Sequence, residues 1–247
     1  QHSPAICMKR LLCRGHKRIF QISRCWRAGE RGSRHLPEFT MLEWYSVNAD
    51  YSSLMEDCRG LLLHIAQTCT EGSVFRWNGA EIDPSAEWKS ITVHDAFRSY
   101  ASADSIEAAE ADTFDEILIN QVEPAIAGFR VPVIMRDYPA RMAALSRLKD
   151  DDSRFAERFE LYLGGLELAN GFSELCNPLE QTRRFLEANL AREKDNRKGL
   201  PIPSPFISEL DRMPPSAGIA LGMDRLVMLS TGLDSIDQVV AFTPEIL

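Results

Sequence analysis

Residues 155–175, FAERFELYLGGLELANGFSEL, commit this chain to antiparallel sheet more firmly than any other stretch. Gly164-Gly165 separates two runs in which apolar and polar residues interleave, and a Gly-Gly pair tolerates the backbone of a two-residue hairpin turn. Such a turn sets a register: Leu163 opposes Leu166, Tyr162 opposes Glu167, and Glu160 opposes Ala169. Glu160 and Glu167 are then diagonal neighbours on one face. Two carboxylates so placed repel unless a cation lies between them, and oxygen ligands of this kind suit Mg²⁺ carried by a triphosphate. Two solvated glutamates on an exposed strand are the plainer alternative. Strand parity puts Asn170, Phe172 and Glu174 on the opposite face, so a site using them all needs a bulge between 167 and 170.

Two further stretches carry groups that suit a nucleotide. Residues 18–27 and 38–47 read as strands joined by a polar loop, 28–37; Arg27 stands at its entry, and Arg31, Arg34 and His35 lie in it. Along the second strand Phe39, Met41, Glu43 and Tyr45 share one face; Thr40, Leu42, Trp44 and Ser46 share the other, which reads as core. Arg pairs with phosphate oxygens and stacks on rings, and Phe39 offers a face to a base. An exposed hairpin with a basic tip is the alternative. In AGIALGMDRLVML (217–229) a small-residue strand lets a ligand approach the backbone closely. Arg225 then stands in the first turn of a helix, where the dipole opposes a cation unless an anion sits there.

The remaining pattern sets the architecture. Residues 4–15 read as a short helix. Residues 53–69 form a longer one, with Ser52 or Ser53 as cap and Gly72 beyond its end. Residues 72–103 read as irregular, 105–120 as an acidic helix, 131–135 as a buried strand, 150–152 as a loop and 179–198 as a surface helix. The prolines at 201, 203, 205, 214 and 215 keep 199–216 mostly extended or looped. Hairpins and separate helices without βαβ alternation predict an α+β fold, an antiparallel sheet flanked by helices. A chain of 247 residues with 36 acidic and 28 basic side chains, net charge −8, is a poor candidate for sequence-independent nucleic-acid binding. No apolar run approaches the ~20 residues of a membrane helix. The six cysteines show no CxxC spacing, so a zinc site is not expected and free thiols in the cytoplasm are.

Together these stretches resemble the class II aminoacyl-tRNA synthetases, in their lysyl branch. FQISRCWRAGERGSRHLPEFTMLEWY (20–45) resembles motif 2, FELYLGGLELANGFSEL (159–175) the lysine- and metal-binding strands, and AGIALGMDRLVML motif 3. The likeness spans residues 3–247, though 72–130 adds nothing to it, and no anticodon-binding barrel is read in the chain. Gly218-Ile219-Ala220-Leu221-Gly222 stands where lysyl-tRNA synthetases carry Gly-Leu-Gly-Ile-Gly. Ala220 is the residue found in the lysyl-synthetase paralogues that activate (R)-β-lysine with ATP and attach it to a lysine of elongation factor P. Its methyl group reshapes the pocket in favour of an amine shifted by one carbon.

The resemblance implies a class II catalytic domain and assigns roles. Arg27 resembles the motif 2 arginine that bridges the α-phosphate and the substrate carboxylate. Arg34 and His35 resemble the loop pair on the outer phosphates, Phe39 the ring under adenine, and Arg225 the clamp on the γ-phosphate. Glu160 and Glu167 resemble the Mg²⁺ carboxylates. Asn170 resembles a substrate-carboxylate contact, Phe172 a pocket wall, and Glu43, Tyr45 and Glu174 the polar groups around the distal ammonium. The chain departs from the family at three places. Ala5 stands where the family reads the Glu of Ser-Pro-Glu, which touches the α-amine. Gly29 replaces the Glu that contacts adenine, with Glu30 beside it as a substitute, and Leu36 replaces an Asn. Motif 1, which builds the family's dimer, lies upstream of Gln1. Residues 1–247 are therefore expected to be a catalytic domain without its N-terminal part, with 72–130 a variable insertion. The expected molecule is a cytoplasmic homodimer that uses ATP and Mg²⁺, activates lysine or (R)-β-lysine, and acts on elongation factor P. A lysyl-tRNA synthetase catalytic domain charging tRNA-Lys is one alternative. A non-catalytic paralogue that binds an adenylate or a partner is another.

Overall fold

The computed structural model describes residues 2–194 and 196–246. Helix α1 (Ala5–Cys13) leads into strands β1 (Arg18–Trp26) and β2 (Glu38–Val47), then helix α2 (Tyr51–Cys69). Strands β3 (Phe75–Trp77), β4 (Ala80–Ile82) and β5 (Lys89–Thr92) precede helices α3 (Val93–Ala101), α4 (Ser105–Glu110), α5 (Phe114–Ile117) and α6 (Glu123–Ile126). Strands β6 (Val133–Pro139), β7 (Phe155–Leu163) and β8 (Leu166–Ser173) follow, then α7 (Pro178–Lys194), α8 (Ser204–Ile207), β9 (Ser216–Gly222) and α9 (Met223–Thr231). Seven strands form one sheet in the order β1-β2-β9-β8-β7-β6-β5, and among its neighbours only β5 and β6 run parallel. The fold is α+β, with a mostly antiparallel sheet flanked by helices, as the hairpin pattern requires.

Leu54, Cys58, Leu62 and Ala66 of α2 recur at helical spacing and pack on one face of the sheet, against Phe159, Leu161, Ile219 and Leu221. Helices α3 to α6 build a second core with Val133, Met135 and Tyr162. Helix α1 and the segment 206–213 build a third around Tyr45. The second and third cores leave the sheet's other face open between them. No described helix is long and apolar enough to cross a membrane.

Several local readings need correction. Asp50, not Ser52 or Ser53, caps α2, accepting a hydrogen bond from the Ser53 amide at 3.0 Å, and the helix stops at Thr70, whose backbone turns extended. Residues 72–103 are ordered: Asn78 and Gly79, both at positive φ, turn the β3–β4 hairpin, and Thr92 caps α3. The acidic stretch 105–120 does not run as one helix, because Asp112 takes a left-handed conformation between α4 and α5. On β2 the burial is the reverse of that expected. Met41, Glu43 and Tyr45 are the buried set, whereas Leu42 and Trp44 are half-buried beside the sheet's edge, where α2 covers them incompletely.

Candidate active site

The register across the sheet gathers the polar residues. One row runs Glu160 on β7, Asn170 on β8, Ala220 on β9 and Glu43 on β2; the next runs Arg158, Phe172, Gly218 and Tyr45. Gly164 and Gly165, both at positive φ, make the expected two-residue turn, and Leu163 and Tyr162 pair with Leu166 and Glu167 as predicted. Beyond that the expected register fails. Leu161 pairs with Ala169, so Glu160 opposes Asn170 rather than Ala169. Leu168 is the extra residue, a bulge held by burial in the core. That bulge brings Glu167 and Asn170, of opposite parity, to the wall of one cleft with Glu160.

This upper cleft, about 360 Å³, is lined by Arg27, Glu30, Arg34, His35, Phe39 and Arg225 facing the two glutamates. Arg225 donates to the Glu167 carbonyl at 2.6 Å and to His35 Nε2 at 2.7 Å, which ties the helix start, the β7–β8 hairpin and the 28–37 loop together. Burial, and then the Arg225 charge, hold the His35 imidazole below its ordinary pKa, so it accepts that bond as a neutral ring. The Arg27 guanidinium lies 5.1 Å from the Phe39 ring centroid and 3.6 Å from Glu30. Arg31, grouped with these cations by sequence, does not line the cleft. It pairs with Asp237 and Glu245 of the C-terminal segment.

The two glutamates differ. Glu160 accepts from Arg158 at 2.7 Å and Asn170 at 3.1 Å on one oxygen, and from Tyr138 at 2.6 Å and Tyr162 at 2.5 Å on the other. Desolvation, and then the neighbouring Glu160 charge, push the Glu167 carboxyl up, to about 7, although its side chain sits in the open cleft with 38% exposed. Among the described residues no three His, Cys, Asp or Glu side chains gather as a standing metal site.

A lower cavity of about 260 Å³ continues from the cleft, with Arg27, Arg158, Asn170 and Ala220 lining both. Its far end holds Glu43, which accepts from the Ser3 hydroxyl and, at 2.8 Å, from Tyr45. Phe172 and Ala5 form walls. Glu174 does not line this cavity. It lies buried behind Gly218, 2.6 Å from Lys9 Nζ, and neither of its oxygens holds a hydrogen bond of good geometry. A Cβ on Gly218 would come within 2.2 Å of the Tyr45 ring and 2.6 Å of Glu174 Oε1, so only glycine separates that carboxylate from the cavity. Burial pushes Glu174 up, to about 7, against the pull of Lys9.

Ser3, Lys9 and Arg158 join the site without having been singled out by the sequence pattern. Arg158 was within reach, since it stands two residues before Glu160 and shares its face. Lys9 was not, because an amphipathic helix gives no reason to bury its lysine until the partner carboxylate is known.

A family model of class II tRNA synthetases (D, K and N) matches residues 1–245. The chain is 41% identical over 246 residues to the elongation factor P–(R)-β-lysine ligase of Vibrio parahaemolyticus, covering 97% of this chain and 76% of that protein. It is 40% identical to the ligases of the same name from Hamiltonella defensa (98% and 76%) and Mannheimia succiniciproducens (97% and 75%). With the matching motifs on one continuous cleft, the chain belongs to the class II tRNA synthetase family of the aspartyl, lysyl and asparaginyl type.

Proposed function

We propose that this chain is an ATP-dependent ligase that activates lysine or (R)-β-lysine as an aminoacyl-adenylate and transfers it to a lysine of elongation factor P, in the cytoplasm and as a homodimer. The observation that carries the reading is the continuity of a cationic cleft with a cavity ending in a carboxylate, the two meeting at Arg27, Asn170 and Ala220. The ligases named above support the choice of substrate and acceptor.

In this reading the triphosphate lies among Arg34, His35 and Arg225, with the base on Phe39 and Glu30 at its edge. The amino acid occupies the lower cavity, its distal ammonium toward Glu43 and Tyr45 with Glu174 acting as a buried charge from behind Gly218, its chain along Phe172 and its carboxylate toward Arg27 and Asn170. A carboxylate oxygen attacks the α-phosphorus in line; the bond to pyrophosphate breaks as the new P–O bond forms. Arg27 and Arg225 stabilise the charge that gathers on the phosphate oxygens, and no side chain serves as nucleophile. Mg²⁺ would be held through one or two carboxylates and substrate phosphates rather than by an all-protein cage. Glu167 and Glu160, which face the phosphate-binding cations across the cleft, are the residues that would hold it. When bound, the ion neutralises phosphate charge.

The test is ATP–pyrophosphate exchange with lysine and with (R)-β-lysine, followed by transfer to elongation factor P or to tRNA-Lys. Exchange and protein labelling are expected. Charging of tRNA with lysine would favour the synthetase reading, and no exchange at all would leave an adenylate-binding paralogue.

A further inference from the structure

We propose that Trp77, at the end of β3, is a positioning residue for the nucleotide: its ring holds the Arg34 guanidinium at the outer-phosphate end of the cleft with the hydrogen-bond donors left free. This rests on the ligase reading, in which Arg34 meets the triphosphate, and it brings part of the 72–130 segment into the site.

A difference among the arginines of the cleft carries it. Arg27 lies 3.6 Å from Glu30, Arg158 2.7 Å from Glu160 and Arg225 3.5 Å from Glu167. Arg34 lines the same cleft, yet among the described residues its side chain makes no hydrogen bond and no ion pair. Its contact is the face of Trp77, with the guanidinium carbon 5.5 Å from the ring centroid. An aromatic face attracts a cation through its quadrupole and consumes none of the N–H groups. A carboxylate in that place would occupy donors and neutralise charge that a phosphate needs. A standing contact also lessens the rotamer freedom that a long side chain loses when its ligand arrives.

Trp77 is suited to hold a group still. It is 3% exposed and packs in the main core with Phe75, Ile82, Leu163 and Leu166. The β7–β8 turn rests on it: a Cβ on Gly164 would come within 3.0 Å of its Cδ1. The hairpin tip is tied down just beyond α9, where the Asn78 amide donates to Asp234 at 3.2 Å. One ring therefore touches both the turn that joins the strands of Glu160 and Glu167 and the cation that shares their cleft. Its indole N–H is buried with no acceptor among the described residues. That costs stability which a phenylalanine would spare. What tryptophan adds over phenylalanine is the stronger attraction for a cation.

Exchange kinetics and calorimetric binding of ATP and AMP by the full chain test this. In Trp77→Leu, KM for ATP is expected to rise about fivefold or more. KM for the amino acid and Kd for AMP, which lacks the outer phosphates, should stay within about twofold of wild type. Trp77→Phe keeps a ring and a weaker face, and its KM for ATP should rise about twofold to threefold. Arg34→Ala should raise KM for ATP at least as much as Trp77→Leu. Adding Trp77→Leu to Arg34→Ala should then change it by less than about twofold, because the ring has nothing left to hold. Effects that multiply in the double variant overturn the proposal. So does a loss of AMP binding equal to the loss of ATP binding, which marks damage to the whole cleft. If Trp77→Leu fails to fold, Trp77→Phe decides, and a KM for ATP equal to that of wild type overturns the proposal. These outcomes leave the ligase reading intact, whereas no exchange by the wild-type chain overturns that reading and this proposal with it.

Discussion

At the scale of single residues, the buried Lys9–Glu174 pair decides how the distal end works. Glu174→Gln changes the cluster of Glu43, Glu174 and Lys9 from one net negative charge to none, so KM for lysine-type substrates should rise by about tenfold or more. The pH dependence has a definite sign. Glu174 has a carboxyl raised from an ordinary 4.5 to about 7, so folding takes up a proton between those values and this group's contribution to stability falls as pH rises through them. Melting temperatures of wild type and Glu174→Gln should therefore lie closest near pH 5, where both side chains are neutral, and wild type should lose stability relative to the variant as pH rises through 7; a gap that does not change with pH contradicts the buried placement. Composition and spacing place Glu174 on a strand near the site, and the family resemblance gives it a partner in the substrate. The partner inside the protein, Lys9, lies 165 positions away, and only packing brings the two together.

At the scale of elements, what was legible is what depends on neighbours in sequence. The Gly164-Gly165 turn and the alternating faces of β2 follow from period and turn chemistry, as does the stripe on α2. The β3–β4 hairpin carried its own sign, Asn78-Gly79, which the scattered Trp and Pro around it obscured. The Leu168 bulge had no sign in Leu168 itself, because an apolar residue gains burial in either register; it followed only from the condition that Glu167 and Asn170 serve one site, which requires a bulge between 167 and 170. Yet the bulge is what places Glu167 and Asn170 together. The 28–37 loop shows the same limit. Its Arg31 counts as a phosphate contact by composition, but in the fold it donates to Asp237 at 2.9 Å and Glu245 at 2.8 Å. Ile236 also donates its amide to the Ser33 carbonyl. The C-terminal segment thus anchors the loop that carries Arg34 and His35 and begins just after Arg27. Arg31→Ala should raise KM for ATP several-fold with KM for the amino acid nearly unchanged. The melting temperature should move little, since exposed pairs contribute little to stability. Equal rises in both constants would mean the anchor supports the whole fold rather than the nucleotide end.

At the scale of the molecule, the sheet divides two tasks between its faces. One carries the cleft and cavity; the other packs on α2 but is incompletely covered toward β1, the sheet's edge strand. There Phe20 is 74% and Ile22 55% exposed, and with Leu42, Trp44 and Leu61 they line a shallow apolar depression. The register places Phe20 opposite Trp44 and Ile22 opposite Leu42, so these four share the face away from the site. An apolar patch on a bare edge strand is costly in water and exposes unpaired backbone groups, so a soluble chain gains by covering it. The proposed homodimer, which the family resemblance builds on motif 1, would take this patch as part of its contact. The paired substitution Phe20→Lys with Ile22→Lys should then convert a dimer to a monomer in sedimentation equilibrium. Because the cavities lie across the sheet, adenylate formation measured at high enzyme concentration should show whether the site needs its partner. Exchange that survives in a monomer means one chain holds the complete chemistry. Exchange lost together with the dimer, in a variant whose melting temperature is unchanged, means association orders the edge strand and, through β2, the row from Glu43 to Glu160. A wild-type chain that sediments as a monomer at every concentration removes the dimer from the reading, and the apolar edge then needs a different cover.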